Sequence, residues 1–148
     1  MVHTDKHLKQ KKMRKIKFRA WHKEQGKMYS AEEMGQGQLT LMPDGRGFAN
    51  IHSVSKRLSE IDDNQKMIAL QFTGLHDKNG KEIYEGDLLC YHDSDEEPEI
   101  GLVFFNEGIW QLGPKDYIMG LSEFDIFKII GNIYENPELI NQPAKPTG

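Results

Sequence analysis

The sequence predicts a mainly β fold in which antiparallel hairpins form a small barrel, with extra amino-terminal strands and little helix. Short stretches in which apolar and polar residues alternate are typical of half-buried strands. Turn-forming groups of Gly, Asn, Asp and Pro separate these stretches and indicate hairpins. At 148 residues the chain is long enough for one core. A barrel removes exposed strand edges without two full sheets, so we favour it over a sandwich.

The first predicted unit is a hairpin near the amino terminus. Residues 15–21, KIKFRAW, alternate in polarity and place Ile16 and Phe18 on the face that we expect to be buried. A turn centred on a glycine at 25–26 then returns the chain through residues 27–30. This pattern predicts two paired strands.

The next part of the chain predicts a loop, a second hairpin, one helix and a strand. Residues 34–38, MGQGQ, are too rich in glycine for regular structure and predict a loop. The turn of the second hairpin is at 43–45, Pro-Asp-Gly. Apolar residues three and four apart predict a helix over 53–61. Residues 66–72, KMIALQF, have the length and composition of a strand covered on both faces.

The stretch TGLHDKNGKEIYEGDLL carries the strongest turn signal in the chain. Asn79 and Gly80 both tolerate positive φ, which the two central residues of a type I′ turn need. We therefore expect residues 70–77 to pair with residues 81–84.

A second bend follows at Glu85-Gly86-Asp87. The glycine supplies a left-handed conformation, and the Asp87 carboxylate can accept hydrogen bonds from nearby backbone N–H groups. The apolar strand LLCYH, residues 88–92, comes directly after this bend.

The carboxyl-terminal third continues the pattern of hairpins. An acidic loop at 93–99, DSDEEPE, precedes a hairpin whose turn ends at Gly108. The last predicted strand is 127–134, where Gly131 indicates a bulge or a close backbone crossing. One helical turn with Asn136 as its cap follows.

Composition and charge predict three parts: a flexible basic leader at 1–14, a single β-rich domain at 15–140 and a flexible tail at 141–148. Cys90 is the only cysteine, so neither an intramolecular disulfide nor a thiolate-rich zinc site can form. No apolar run is long enough for a membrane helix, and no apolar signal peptide precedes the domain. We expect a cytoplasmic protein that does not bind membranes.

The amino-terminal segment is strongly basic and the remainder is acidic. Residues 1–19 hold eight Lys or Arg and one Asp, a formal charge of +7, whereas the remainder holds eleven basic and twenty-two acidic residues, a charge of −11. Such an arm could contact phosphate, fold back onto its own carboxylates or remain a solvated leader. The residues that would contact nucleic acid or a partner are Lys9, Lys11, Lys12, Arg14 and Lys15.

Two combinations of residues suggest metal or nucleophile chemistry, but neither predicts a site. His76-Asp77 and His92-Asp93 could place imidazole and carboxylate groups around one metal ion, yet their positions beside turns are equally natural for solvated side chains. Cys90 and His92 share a strand face, as a thiolate–imidazole pair would, but a free Cys in an apolar strand usually packs as a small hydrophobe.

The carboxylates and aromatic rings have simpler explanations than catalysis. Glu85 and Asp87 could act as paired acids, but the turn already explains them. The acidic run that includes Glu96, Glu97 and Glu99 lacks the glycine and ligand spacing of a calcium loop. The chain also lacks a phosphate-binding loop. The rings considered for a nucleic-acid stacking surface are Trp21, Phe104, Phe105 and Trp110. Core packing explains most of them, and an exposed ring would indicate a protein interface.

Three blocks of the sequence resemble the YopX family of phage and prophage proteins. They are KIKFRAWHKEQGKMYS, LQFTGLHDKNGKEIYEGDLLCY and KIIGNIYENPELI, in that family's order, and together they cover roughly a third of the chain. Residues 35–65 and 93–125 match no recognised pattern. His76 and Leu89-Cys90 are small departures within the middle block. The resemblance implies a β-rich fold with an SH3-like barrel, encoded by a phage or prophage, and supplies no catalytic residues.

The leading functional hypothesis is therefore a non-enzymatic binding module, without a cofactor, that contacts a protein partner or its own copies. An accessory nucleic-acid binder that uses the basic arm is the alternative. A metal-dependent hydrolase built on His76, Asp77 and His92 is a second alternative. The residues assigned to structural turns are Asn79, Gly80, Gly86, Asp87 and Gly108.

Overall fold

The computed structural model confirms the mainly β, antiparallel fold. It describes residues 13–45, 47–50, 66–91, 97–113, 117–118 and 126–140. Every strand pair within these ranges is antiparallel. None of the helices in these ranges is long and apolar enough to cross a membrane. Residues 1–12 of the predicted leader, the predicted tail, the helix at 53–61 and most of the acidic loop lie outside the described residues, so these parts stay predictions.

The described strands form three sheets. In chain order they are β1 (Phe18–His22), β2 (Lys27–Tyr29), β3 (Leu39–Leu41), β4 (Phe48–Asn50), β5 (Met67–His76), β6 (Glu82–Tyr84), β7 (Asp87–Tyr91), β8 (Glu99–Asn106), β9 (Ile109–Gly113), β10 (Tyr117–Ile118) and β11 (Lys128–Asn132). A four-stranded sheet has the order β2-β1-β5-β6, a five-stranded sheet has the order β10-β9-β8-β7-β11, and β3 pairs with β4. Residues 99–113, which were predicted to form a hairpin but matched no family pattern, belong to the five-stranded sheet.

The first predicted hairpin is confirmed as β1 and β2. Ala20 is fully buried and pairs with Tyr29 on β2 and Ala69 on β5. The prediction for Ile16 was wrong, because this side chain precedes β1 and is exposed.

The prediction of a loop at 34–38 was also wrong for residues 34–36. A six-residue helix, α1 (Ala31–Gln36), occupies this part of the chain. The Ser30 hydroxyl accepts a hydrogen bond from the Glu33 N–H, and the Glu33 carboxylate accepts one from the Ser30 N–H. This capping box starts a helix despite Gly35, because it satisfies two donors that the first turn would leave unpaired.

The β5–β6 turn is a hairpin as predicted, but it is not a type I′ turn. Gly80 has a φ of 81°, whereas Asn79 does not have a positive φ. The Asp77 carboxylate instead accepts hydrogen bonds from the N–H groups of Asn79 and Lys81, both at 2.9 Å. The carboxylate therefore sets the turn geometry, and only one left-handed residue is needed.

The type I′ geometry occurs in the β8–β9 hairpin. Its two loop residues, Glu107 and Gly108, have φ values of 49° and 82°, and Asn106 pairs with Ile109. The predicted turn at Gly108 is confirmed.

The last strand contains the predicted irregularity. The register of β11 against β7 shifts between Ile129 and Gly131. A 3-10 turn (Pro137–Leu139) follows, but Asn136 does not cap it. The Asn136 side chain accepts a hydrogen bond from the Asn132 N–H instead, which joins the turn to the end of β11.

Two groups of buried apolar side chains support the sheets. The first lies in the region of the five-stranded sheet and contains Ile83, Leu89, Tyr91, Val103, Leu112 and Phe127. The second contains Ala20, Met34, Phe48 and Met67, so that α1 and the β3–β4 hairpin cover one face of the four-stranded sheet. The opposite face of that sheet carries the candidate site.

Candidate functional site

An open groove of about 560 Å³ runs across the second face of the four-stranded sheet. Side chains alternate along β1, so Arg19 and Trp21 point away from the core that buries Ala20. The β1 register places Arg19 opposite Leu70 of β5 and Trp21 opposite Met28 of β2. The charged and aromatic residues that line the groove are Arg19, Glu32, Lys81, Glu82, Tyr84 and Glu135.

The floor of the groove is built on an ion pair between Arg19 and Asp87. The guanidinium nitrogen Nη2 of Arg19 lies 2.6 Å from Oδ1 of Asp87, and the guanidinium carbon lies 4.8 Å from the centre of the Tyr84 ring. The other Asp87 oxygen accepts the Tyr84 N–H at 2.7 Å. This pair therefore fixes the position of Arg19 and ties β1 to the start of β7.

Burial changes the ionisation of the floor. Asp87 is 1% exposed, and this burial raises its pKa despite the opposing effects of Arg19 and the Tyr84 N–H. Burial also raises the pKa of the Tyr84 hydroxyl, with Glu82 as the next contributor. Burial therefore disfavours the ionised forms of Asp87 and Tyr84.

A second ion-pair group lies beside the first. The Lys17 ammonium is 2.8 Å from Glu82 and 2.9 Å from Glu32. Hydrogen bonds to Glu82 and Glu32 raise the pKa of Lys17, and the hydrogen bond from Lys17 lowers the pKa of Glu32. One cation is thus shared by two carboxylates.

Two buried polar atoms near the groove have no hydrogen-bond partner in the part of the chain that the structure describes. They are Oε2 of Glu82 and Nε of Arg19. Buried polar atoms are usually paired, so an unpaired acceptor and an unpaired donor in one region call for an explanation.

The turn after β11 borders the groove through Glu135. The Tyr134 ring stacks on Trp21 with the ring centres 5.7 Å apart. Burial raises the pKa of Tyr134, and Glu85 adds to this rise. The adjacent Glu135 accepts a hydrogen bond from the Asn132 side chain at 2.9 Å.

The family of the chain can be assigned by comparison. A family model described as YopX protein matches residues 17–141, which is most of the chain. The chain belongs to the YopX family. The crystal structure of protein EF1440 from Enterococcus faecalis is similar to this YopX chain, with a TM-score of 0.60 and 24% identity over 86% of this chain and 99% of that one. At this identity the likeness shows the fold alone. No curated protein matches the sequence.

In this YopX-family protein, the described members of the proposed metal site do not come together around a common point. Among the described residues, no three His, Cys, Asp or Glu side chains form a group that could hold a metal ion. Both Asp77 oxygens accept backbone hydrogen bonds, and His76 lies edge-on to the Phe72 ring. His92 and Asp93 lie outside the described residues, and so does the imidazole of the Cys90–His92 pair.

The four aromatic residues considered for stacking do not form one surface. Trp21 lies beside the groove with Tyr134, whereas Phe105 and Trp110 pack edge-to-face on the β8–β9 hairpin, with ring centres 4.9 Å apart. Phe105 is 51% exposed and Ile109 is 38% exposed. Phe105 pairs with Trp110 and Ile109 pairs with Asn106, so the two exposed apolar side chains lie on opposite faces of the hairpin end.

The basic arm is described only at its end. Arg14 and Lys15 are exposed, and Lys9, Lys11 and Lys12 lie outside the described residues. Nucleic-acid binding by this arm stays a prediction.

Sequence reasoning missed most of the groove. Arg19 and Asp87 are 68 positions apart, and nothing local indicates that they meet. The available signal was the alternation in β1, which places Arg19 on the face opposite Ala20 and predicts a polar surface there.

Proposed function

We propose that this YopX-family chain is a phage-encoded, non-enzymatic cytosolic protein that binds another protein through the groove. The observation that carries the proposal is the groove itself, an open surface of charged and apolar side chains on the face of the four-stranded sheet. Phage origin is supported by the resemblance of the three sequence blocks to the family. The absence of a membrane-spanning helix among the described residues is compatible with a cytosolic role.

The arrangement of charges favours recognition over catalysis. The cations Lys17 and Arg19 are each held by carboxylates within 2.9 Å. Catalytic carboxylates and bases are instead directed at a reacting atom. Charges fixed by mutual pairing provide a defined electrostatic pattern, which gives specificity to a protein interface.

Site-specific photo-crosslinking tests the proposal. A photoreactive phenylalanine derivative is placed at Lys81, on the groove, or at Lys23, an exposed residue of the β1–β2 turn that serves as the control. We expect crosslinking to one identified host or phage protein from position 81 only. Unlabelled wild-type protein should compete, and a Glu82→Ala variant should compete less well. Equal crosslinking from both positions, or none from position 81, would contradict the proposal.

A second candidate function, self-association, is favoured by the exposed apolar side chains of Phe105 and Ile109 at the end of the β8–β9 hairpin. Exposed apolar side chains on a hairpin end are a common means of contact between copies. Sedimentation of the full chain should then show an oligomer that Ile109→Ser disrupts. Ile126→Ser is the matched control because Ile126 is also 38% exposed. A monomer at all concentrations, or equal effects of the two substitutions, would exclude self-association through this end of the hairpin.

A further inference from the structure

We propose that the group recognised by the groove is a cationic side chain, lysine or arginine, of the protein partner. This inference rests on the proposed function, because it names the chemistry of the partner for the same groove. Three observations carry it: the excess of carboxylates, the commitment of the resident cations, and the apolar surface beside the carboxylates.

Carboxylates outnumber cations among the groove residues and their salt-bridge partners. The lining residues and the residues salt-bridged to them provide four acidic side chains, Glu32, Glu82, Asp87 and Glu135, and three basic ones, Lys17, Arg19 and Lys81. These seven side chains therefore carry a formal charge of −1. The exposed Lys15, which after Lys17 makes a minor contribution to the lowered pKa of Glu32, lies at the edge of this group. A positively charged side chain complements the negative charge of the seven side chains, and an anion would be repelled.

The resident cations cannot satisfy the groove carboxylates. Arg19 is paired with Asp87, and Lys17 is divided between Glu82 and Glu32. Oε2 of Glu82 is left without a hydrogen-bond donor among the described residues, and the Glu32 side chain is 66% exposed. A second ammonium or guanidinium group that enters the groove would reach the exposed Glu32 carboxylate and the partly exposed Glu82 side chain, which otherwise share one cation.

An anionic ligand fits this arrangement poorly. Lys17 and Arg19 have side chains only 15% exposed, and each is already in contact with a carboxylate. An anion would have to break these pairs, which leaves a charge without its partner. The remaining cation, Lys81, lies at the exposed rim.

The groove also offers apolar surface for the methylene groups of a basic side chain. Met28 of β2 lines it and is partly exposed, whereas the Tyr84 ring is buried and lies against the Arg19 guanidinium. Lysine and arginine side chains commonly pack their methylene groups on apolar surface while the charged end reaches polar groups. The combination of carboxylates with Met28 therefore suits a long cationic side chain better than a small cation.

A peptide titration tests this inference. The probe is the peptide acetyl-Gly-Arg-Gly-amide, and its control contains the neutral isostere citrulline in place of arginine. Binding to the full chain is followed by the NMR signal of the Met28 methyl group. We expect the arginine peptide to shift this signal saturably, the citrulline peptide to bind about tenfold more weakly, and added salt to weaken binding.

Substitutions locate the site. Glu82→Gln and Glu32→Gln should each weaken binding of the arginine peptide several-fold, whereas Glu24→Gln, at an exposed carboxylate remote from the groove, should leave it unchanged. Equal binding of the two peptides, or equal effects of Glu82→Gln and Glu24→Gln, would overturn the inference.

The outcome is distinguishable from that of the proposed function. A specific crosslink from position 81 without binding of the arginine peptide would support protein binding through the groove. The same result would contradict the proposal that the groove recognises a cationic side chain. If neutralising Lys9, Lys11 and Lys12 as glutamine in the full chain tightens peptide binding about tenfold, the chain's own arm competes for the groove and the assignment to a separate partner is overturned.

Discussion

The two turns that flank β6 are both organised by a buried aspartate, but the two carboxylates lie in different surroundings. At the β5–β6 turn, the carboxylate of Asp77 accepts backbone N–H groups of Asn79, Lys81 and Ile129 at 2.9–3.1 Å. Burial alone would raise the pKa of Asp77, but these three hydrogen bonds together lower it. The ionised form is therefore the one that the fold stabilises.

At the β6–β7 turn, the carboxylate of Asp87 accepts one backbone N–H, from Tyr84, and pairs with Arg19. Burial is the largest effect here and raises the pKa of Asp87. Burial therefore outweighs the partners of Asp87, whereas three backbone donors outweigh the smaller effect of burial at Asp77.

The two aspartates also join the sheets in opposite directions. Asp77, at the end of the four-stranded sheet, holds Ile129 of the five-stranded sheet. Asp87, in the five-stranded sheet, holds Arg19 of the four-stranded sheet. We infer that residues 73–89 connect the two sheets. This structural role explains why the stretch is rich in turn residues, and no catalytic role is needed to explain them.

The largest predicted effect is that of Asp87→Ala. This change leaves the Arg19 guanidinium buried without its carboxylate, so we expect the free energy of unfolding to fall by about 3–5 kcal/mol. Urea denaturation of the full chain measures it. The double variant Arg19→Met with Asp87→Leu is the control and should recover much of the loss, because it removes both charges. No recovery would indicate that Asp87 acts mainly through the Tyr84 N–H.

Asp77→Ala should have a smaller effect. It removes the acceptor for three backbone N–H groups without leaving a buried charge, and we expect a loss of about 1–3 kcal/mol. Asp77→Asn retains one acceptor oxygen and should lose less. A loss larger than that of Asp87→Ala would reverse the comparison between the two turns.

The pH dependence of stability should have opposite signs at the two turns. The folded pKa of Asp77 is lowered, so its contribution is present above the unfolded pKa, near 3.8, and is lost as pH falls through the folded value. The folded pKa of Asp87 is raised, so its contribution is present below the unfolded pKa and is lost as pH rises through the folded value. The free energy of unfolding is measured for Asp77→Asn, Asp87→Asn and wild type between about pH 3 and 7. The difference between each variant and wild type gives the pH dependence that each carboxylate contributes. Parallel slopes would contradict the account.

The smallest predicted effect separates the two turn glycines. Gly80 and Gly86 both have positive φ, so alanine at either position should cost about 1–2 kcal/mol. A Cβ at Gly80 would meet nothing within 4 Å, whereas one at Gly86 would lie 3.2 Å from the Tyr134 ring. We expect Gly86→Ala to lower the thermal midpoint further than Gly80→Ala. Equal thermal midpoints would show that the Tyr134 ring moves aside without a measurable loss of stability.

Local patterns predicted the strands and turns well because they depend on neighbouring residues. The β1–β2 and β8–β9 hairpins and the β11 bulge were visible from alternation and glycine placement. The helix α1 was missed although Ser30 and Glu33 have the spacing of a capping box. Gly35 and Gly37 in the same stretch favour a loop and oppose that signal.

The groove could not be predicted because it depends on contacts between distant parts of the chain. Lys17 meets Glu82 across 65 positions, and Arg19 meets Asp87 across 68. The turn roles of Gly86 and Asp87 were predicted locally, but the pairing of Asp87 with Arg19 follows only from the sheet order β1-β5-β6 and the bend into β7.

The most direct test of the central claim is an NMR titration of the two carboxyl carbons in the full chain. If residues 73–89 hold the sheets together through two aspartates in different surroundings, Asp77 will titrate below the ordinary aspartate range and Asp87 above it. Two ordinary pKa values, or the reverse order, would contradict the account.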